Sequence, residues 1–287
     1  MYRDFPSLVD DDLDQASATR QVFEQAIGQG HAVITGQSLI SEHFDPLIAR
    51  VYQQIWQRVG PLQLSADEAR LYIGELSVFA RYNSTLLLRA ADTVRGFCPE
   101  LAQELTRNYL EEGGERGKLP AHYVVFSGAL IADLGLRVNG WMPRAASTRS
   151  LVSLIDVLAW SHCPSTILGM YYATEAVAIA ETRLLQAITD RLGLVLGRGC
   201  GADLPRLHDY YRMHLDEEHA AANGKVAVEQ GHQDGIAHFI RQAPLFGFLQ
   251  PQVIDGFLQM LNPFVDQWVE LSAMVDAARD GKEPVAR

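Results

Sequence analysis

Carboxylates and imidazoles recur in three places along this chain, on segments whose apolar periodicity is helical. Glu111 and Glu112 end one candidate helix, and His122 opens the next across a short Gly/Pro loop. A carboxylate pair at a helix C-terminus faces the negative end of the helix dipole, so the position calls for a cation or a donor. Glu175 lies within Met170-Tyr-Tyr-Ala-Thr-Glu-Ala-Val-Ala-Ile-Ala180, where every neighbour within five positions is uncharged. The third stretch, Tyr210-Tyr-Arg-Met-His-Leu-Asp-Glu-Glu-His219, sets His214 and His219 beside Asp216, Glu217 and Glu218. Mixed carboxylate and imidazole donors suit divalent iron or manganese, and helix bundles build two-metal sites from inward-facing Glu and His. Glu112, His122, Glu175, His214, Asp216, Glu218 and His219 make an inventory for two metals, with Glu112, His122, Glu175, His214 and His219 as the catalytic set. Taken singly, each reads equally as solvated surface charge, because charged side chains mostly face water.

Other chemistries find no support. No glycine-rich loop followed by Lys and Ser or Thr occurs, and Gly193 to Gly201 reads as a helix-to-helix turn. A Gly-x-Ser-x-Gly elbow is missing too. Cys98, Cys163 and Cys200 are odd in number and have no Cys-x-x-Cys spacing, which argues against a disulfide framework and a thiolate zinc site. Lys and Arg number 24 against 35 Asp and Glu, a formal charge of −11, and basic clusters that would hold phosphate backbones are lacking. No nucleic-acid partner is expected. The acidic start and the lack of an apolar run of about 18 residues predict neither an export signal nor a membrane span, hence a cytoplasmic protein.

These side chains need helices to carry them. The chain has 287 residues, 48 % of them hydrophobic, enough for a substantial core. Three- and four-residue apolar steps predict an all-α fold. Two helices, over about 14–27 and from Ser41 to near Gly60, form an N-terminal extension (1–65), with a short extended piece at 31–35. The main domain (66–287) opens behind a Ser65/Glu68 capping box. Its helices are expected over about 66–95, 99–112, 121–136, 147–160, 164–193, 204–230, 234–242 and 250–277.

At this point the residues resemble a family, the haem-oxygenase-like diiron oxidases and oxygenases. Asn108-Tyr-Leu-Glu-Glu-Gly-Gly114 with His122 is similar to the family's Asn-x-x-[Asp/Glu]-Glu-x-Gly run and its His ten positions after the second acid, which selects Glu112 over Glu111. Glu175 stands where the family carries a single, often bridging Glu. The Tyr210–His219 stretch resembles its aromatic-x-x-His-x-x-x-Asp-x-x-His helix, with a departure. The frame from His214 has Glu218 and then Ala221, whereas the frame ending at His219 has Asp216 but Arg212 in place of the first His. His214 and His219 lie about 140° apart on a helical wheel, so both reach one cluster only through a local distortion such as a π-bulge.

The resemblance, over about residues 66–277, implies a bundle of about seven core helices with the N-terminal helical extension outside it. It also implies two ferrous ions, with manganese as the alternative, dioxygen as co-substrate, and room for an external electron donor or redox partner. The expected activity is oxidation of a small metabolite, foremost N-oxygenation of an amine or amino-acid-like substrate in a biosynthetic pathway, with desaturation or carbon–carbon cleavage of an amino or fatty acid as alternatives. Arg212, Tyr171, Tyr172 and Tyr211 are the candidates for placing a substrate. A haem-degrading reading needs a proximal His early in the core, and residues 66–98 contain none. A metal-free relative of the thiaminase or cofactor-oxidising kind, a helical binding protein, and assembly as a homodimer stay open.

Overall fold

The computed structural model of the protein describes residues 35–114, 120–159, 163–216 and 227–281. The helix expected over 14–27 and most of the extended piece at 31–35 lie outside them, as do Glu217, Glu218 and His219. Among the described residues all regular structure is helical, as the periodicity predicts. No described helix is long and apolar enough to cross a membrane.

Helical structure begins at Gly36–Ser38, passes through a π-helical stretch, Leu39–Phe44, and continues as α1, Asp45–Val59. α2, Ala66–Val94, starts at the expected capping box: the Ser65 amide donates to Glu68 at 2.7 Å. Then follow α3, Pro99–Gly113, and α4, His122–Ala129, which runs into a π turn, Leu130–Leu134, ended by Gly135 at φ 66°. After α5, Ala146–Ala159, the long helix α6 spans Pro164–Val195. α7, Pro205–Leu215, α8, Val228–Arg241, and α9, Gln250–Arg279, complete the bundle.

α6 is its axis. Every residue from Ile167 to Val177 is buried, and a helix buried all round must have neighbours on each side. α9 packs along it most extensively, with α2 and α8 also against it. Two glycines set how near α9 comes. A Cβ on Gly169 would fall 1.8 Å from the Val253 carbonyl oxygen, and one on Gly256 would fall 2.0 Å from that of Thr166. Backbone therefore meets backbone there, and any side chain would push the helices apart.

Carboxylates on α2 and α9 tie further segments into the bundle. Glu75 of α2 accepts from the Trp141 indole at 3.0 Å and the Arg144 amide at 2.6 Å, which fastens the segment before α5. Glu270 of α9 accepts the Ala146 and Ser147 amides, satisfying donors at the α5 N-terminus. Phe44 stacks on Phe257 of α9 at 3.8 Å between centroids, so residues 36–59 share the same core.

One helix differs from the sequence reading in a way that matters. The helix expected over 204–230 ends at Leu215, and Asp216 turns to extended geometry (φ −92°, ψ 94°). The next helix begins at Val228, behind extended Ala227, and not at Asp234. Its buried positions, Glu229, His232, Ile236, Ala237, Phe239 and Ile240, trace one helical face.

The glycine contact yields a test. Gly169→Ala and Gly256→Ala should each destabilise the fold by about 3 kcal/mol, the upper range for overpacking a closed interface. Thermal melts that match the wild type would show that the α6–α9 contact has slack.

Candidate metal centre

Glu111 and Glu112 end α3, where the chain leaves the helix through Gly113 and Gly114. His122 is the first residue of α4, and its Nδ1 lies 3.1 Å from Glu112 Oε1. His214, in the last turn of α7, is 1 % exposed. Its Nδ1 is 2.7 Å from the Tyr210 carbonyl, an acceptor only, so Nδ1 carries the hydrogen and Nε2 keeps its lone pair. That Nε2 points at His122 Nδ1 from 3.4 Å. Glu112, His122 and His214, from three helices, thus meet at one spot.

A second group adjoins it. Glu175 of α6 with Glu229 and His232 of α8 bring one ligand atom each to within 4.8 Å of one another, all buried. His232 Nδ1 lies 3.4 Å from Glu175 Oε2 and 3.7 Å from Glu112 Oε1, which joins the two groups. On its other edge His232 Nε2 lies 2.7 Å from Glu111 Oε2, and Glu111 is held in turn by Arg107 at 2.9 Å. Glu111 therefore fixes the imidazole through Nε2 and turns Nδ1 inward, as the outer partner of a metal-binding His does. Glu175 Oε1 and His232 Nδ1 are buried without a hydrogen-bond partner.

The electrostatics are those of acids crowded away from water. Burial pushes the Glu229 carboxyl up to about 8, with Glu112 adding to the rise. Burial and neighbouring His122 bring His214 down to about 4. Burial opposes charge on His232, yet its hydrogen bond to Glu111 and the nearby carboxylates of Glu175 and Glu112 hold it well above the usual histidine range. The hydrogen bond to His232 draws Glu111 down to about 2 in spite of burial. Three carboxylates and three imidazoles form a donor set suited to iron or manganese, and the orphaned Glu175 and His232 atoms are what a cation would satisfy. These residues fit a metal centre.

The sequence-derived candidates divide. Glu112, His122, Glu175 and His214 come together, whereas Glu218 and His219 lie outside the described residues. Asp216 is half-buried at the end of α7 and belongs to no group of three close ligands among the described residues. Arg212 is exposed and pairs with Asp209 at 3.1 Å, facing away from the cavity described below. Tyr172 donates to Asp45, Tyr211 is bonded to Thr189, and Tyr171 is buried with an unpartnered hydroxyl, so none of these three lines that cavity.

Glu229 and His232 were missed. Their Glu-x-x-His spacing places them about 60° apart on one helical face, the pairing that diiron bundles use, but the expected helices put Glu229 at the end of one and His232 in the gap before the next. The acid-x-x-His half of the third motif thus has its counterpart at Glu229 and His232. Four residues before Glu229 stands Lys225, not His, and the nearby imidazole is His214 from the preceding helix.

A cavity opens beside the carboxylates. It has about 100 Å³ for the centres of water-sized molecules and is reached by Glu112, Glu175 and Glu229, with Phe79, Phe126 and Phe264 among its walls.

A bundle of this architecture has the haem-oxygenase-like fold. It is similar to a CADD-like protein of unknown function from Nostoc punctiforme, with a TM-score of 0.62 and 22 % identity over 83 % of this chain and 94 % of that one. A domain of unknown function with a haem-oxygenase-like fold from Shewanella denitrificans matches with a TM-score of 0.58 and 12 % identity, over 84 % and 95 % of the two chains. A TenA homologue from Pseudomonas syringae pv. tomato matches at 0.55 and 15 %, over 82 % and 90 %. No curated protein matches the sequence. Residues 63–273 match DUF3865, a domain of unknown function with a solved structure, and the chain belongs to that family.

The Glu111 contact makes a prediction. Glu111→Ala should lower affinity for ferrous iron about 10- to 100-fold, the usual effect of losing such a partner, as read by anaerobic chelator competition. Unchanged affinity would remove Glu111 from the site.

Proposed function

We propose that this protein is a dinuclear non-haem iron oxidase or oxygenase that uses dioxygen to oxidise a small metabolite, with N-oxygenation of an amine or amino-acid-like substrate as the leading reaction. The observation that carries this reading is the cluster of Glu112, His122, Glu175, His214, Glu229 and His232, whose three carboxylates line a cavity with Phe79, Phe126 and Phe264 among its walls. Glu112, His122 and His214 would hold one metal, and Glu175, Glu229 and His232 the other, with Glu112 or Glu175 placed to serve both. Two ferrous ions bound there supply electrons for the reduction of dioxygen beside the cavity.

The chain's own contribution is positioning and exclusion of water. Glu111 and the Tyr210 carbonyl engage the outer nitrogens of His232 and His214, so Nδ1 of His232 and Nε2 of His214 face inward, and His232 Nδ1 would give up its proton on binding a metal. Phe79, Phe126 and Phe264 give the adjoining space apolar walls, which would limit water beside reactive species. The cavity is lined by four glutamates and no Lys or Arg, a surface better matched to an amine than to a fatty acid.

Metal analysis and oxygen uptake test this. Protein reconstituted anaerobically with ferrous iron should hold two equivalents per chain and consume oxygen with a member of an amine and amino-acid panel. Glu175→Ala and His232→Ala should each lose at least one equivalent. Less than one equivalent in the wild type, or full metal content in both variants, would sink the proposal.

A further inference from the structure

The cavity has a second polar end that the metal centre does not use. Glu181 follows Glu175 by six residues on α6, about 9 Å of helical rise, and lines the same cavity. Its Oε1 accepts from the Tyr52 hydroxyl at 2.9 Å and the Trp268 indole at 2.8 Å. Both donors use the one oxygen, leaving Oε2 for the cavity. Among the described residues no Lys, Arg or His forms an ion pair with Glu181. Asn83 of α2 lines the cavity too, and its side-chain carbonyl oxygen is buried without a partner. Asn83 adjoins Ser84, which meets the α3 C-terminus at Gly113, so it belongs to the metal end, whereas Glu181, half-buried and without a counter-charge, marks the end held by Tyr52 and Trp268.

We propose that Glu181 is the recognition site for a substrate ammonium group, with its Oε2 as the acceptor. The inference rests on the dioxygen-dependent reading of the neighbouring cluster and names the substrate class for it: an elongated primary amine. The anchored nitrogen sits at the far end of the cavity, Leu76, Phe79, Ala178 and Phe264 cover an apolar spacer, and a different atom of the substrate faces Glu175 and Glu229. Where the oxidised atom is itself nitrogen, the substrate is a diamine. Burial pushes the Glu181 carboxyl up to about 7, with the Trp268 and Tyr52 bonds opposing the rise, as expected of an acid that gains its counter-charge from a ligand. The Tyr52 and Trp268 bonds hold the carboxylate in place from α1 and α9, so the group is preorganised before a ligand enters.

The test uses metal-free full-length protein and isothermal titration with n-butylamine to n-octylamine, against the alcohols and carboxylates of equal length. At least one amine should bind, its alcohol and carboxylate at least tenfold more weakly. Glu181→Gln keeps an oxygen for Tyr52 and Trp268 and should weaken that amine at least tenfold, with an unchanged circular dichroism spectrum. Binding by none of the amines, equal binding of alcohol or carboxylate, or undiminished amine binding by a folded Glu181→Gln variant would overturn the proposal. If Glu181→Gln does not fold, the comparison of amine, alcohol and carboxylate on the wild type still decides it. Iron content is counted separately: amine binding without iron leaves the recognition site standing and fells the oxidase reading, and iron without amine binding does the reverse.

Discussion

Three carboxylates brought into one helical core repel one another and lose their hydration, and the surrounding fold must answer both penalties. The answer here is imidazole. Glu112 meets His122, Glu175 meets His232, and His232 is braced from behind by Glu111. Each acid comes from a different helix, so the centre exists only while α3, α4, α6, α7 and α8 keep their places. Burial of unpaired charge on this scale would otherwise cost several kcal/mol per group, and the same crowding makes the site receptive to divalent cations. The burden of the fold and the capacity of the site have one origin.

That arrangement depends in turn on how closely the long helices pack. Gly169 and Gly256 let α6 and α9 touch along their backbones, and α9 then presents Glu270, Phe264 and Trp268 to the segments around it. Trp268 reaches Glu181, so the helix that closes the core also orients the acid at the far end of the cavity. α6 carries Glu175 near the metal ligands and Glu181, about 120° round the helix and 9 Å further along it, away from them. Cavity length is therefore set by helical rise along a single rigid element, a more exact ruler than a loop.

Residues on either side of α6 were unequal in what their sequence disclosed. Glu111, Glu112 and His122 flank a loop marked by Gly and Pro, and Glu175 sits in an uncharged run, so their settings mark them, while the family resemblance selects Glu112 over Glu111. Glu229 and His232 had the Glu-x-x-His spacing but no clean boundary in front of them, because apolar and charged residues continue through 204–230 without a helical break other than Asn223-Gly224. Extending one helix over that stretch moved the ligand search to 214–219. Arg212 and the tyrosines were attractive by type, yet a side chain's type does not say which wall of the bundle it faces.

Local signals were enough for the all-α character, the capping box at Ser65, most helix limits and four members of the buried cluster, since these depend on periodicity, turn residues and spacing within a few turns. Tertiary structure alone decided that His214 stands against His122, that Glu111 braces His232, and that Glu181 and Asn83 look into one cavity. Each of these joins residues dozens of positions apart or more, through helices whose rotation about their own axes is set by packing against the rest of the core. No spacing rule within a single segment carries that information, because the relevant distances run between helices and not along them.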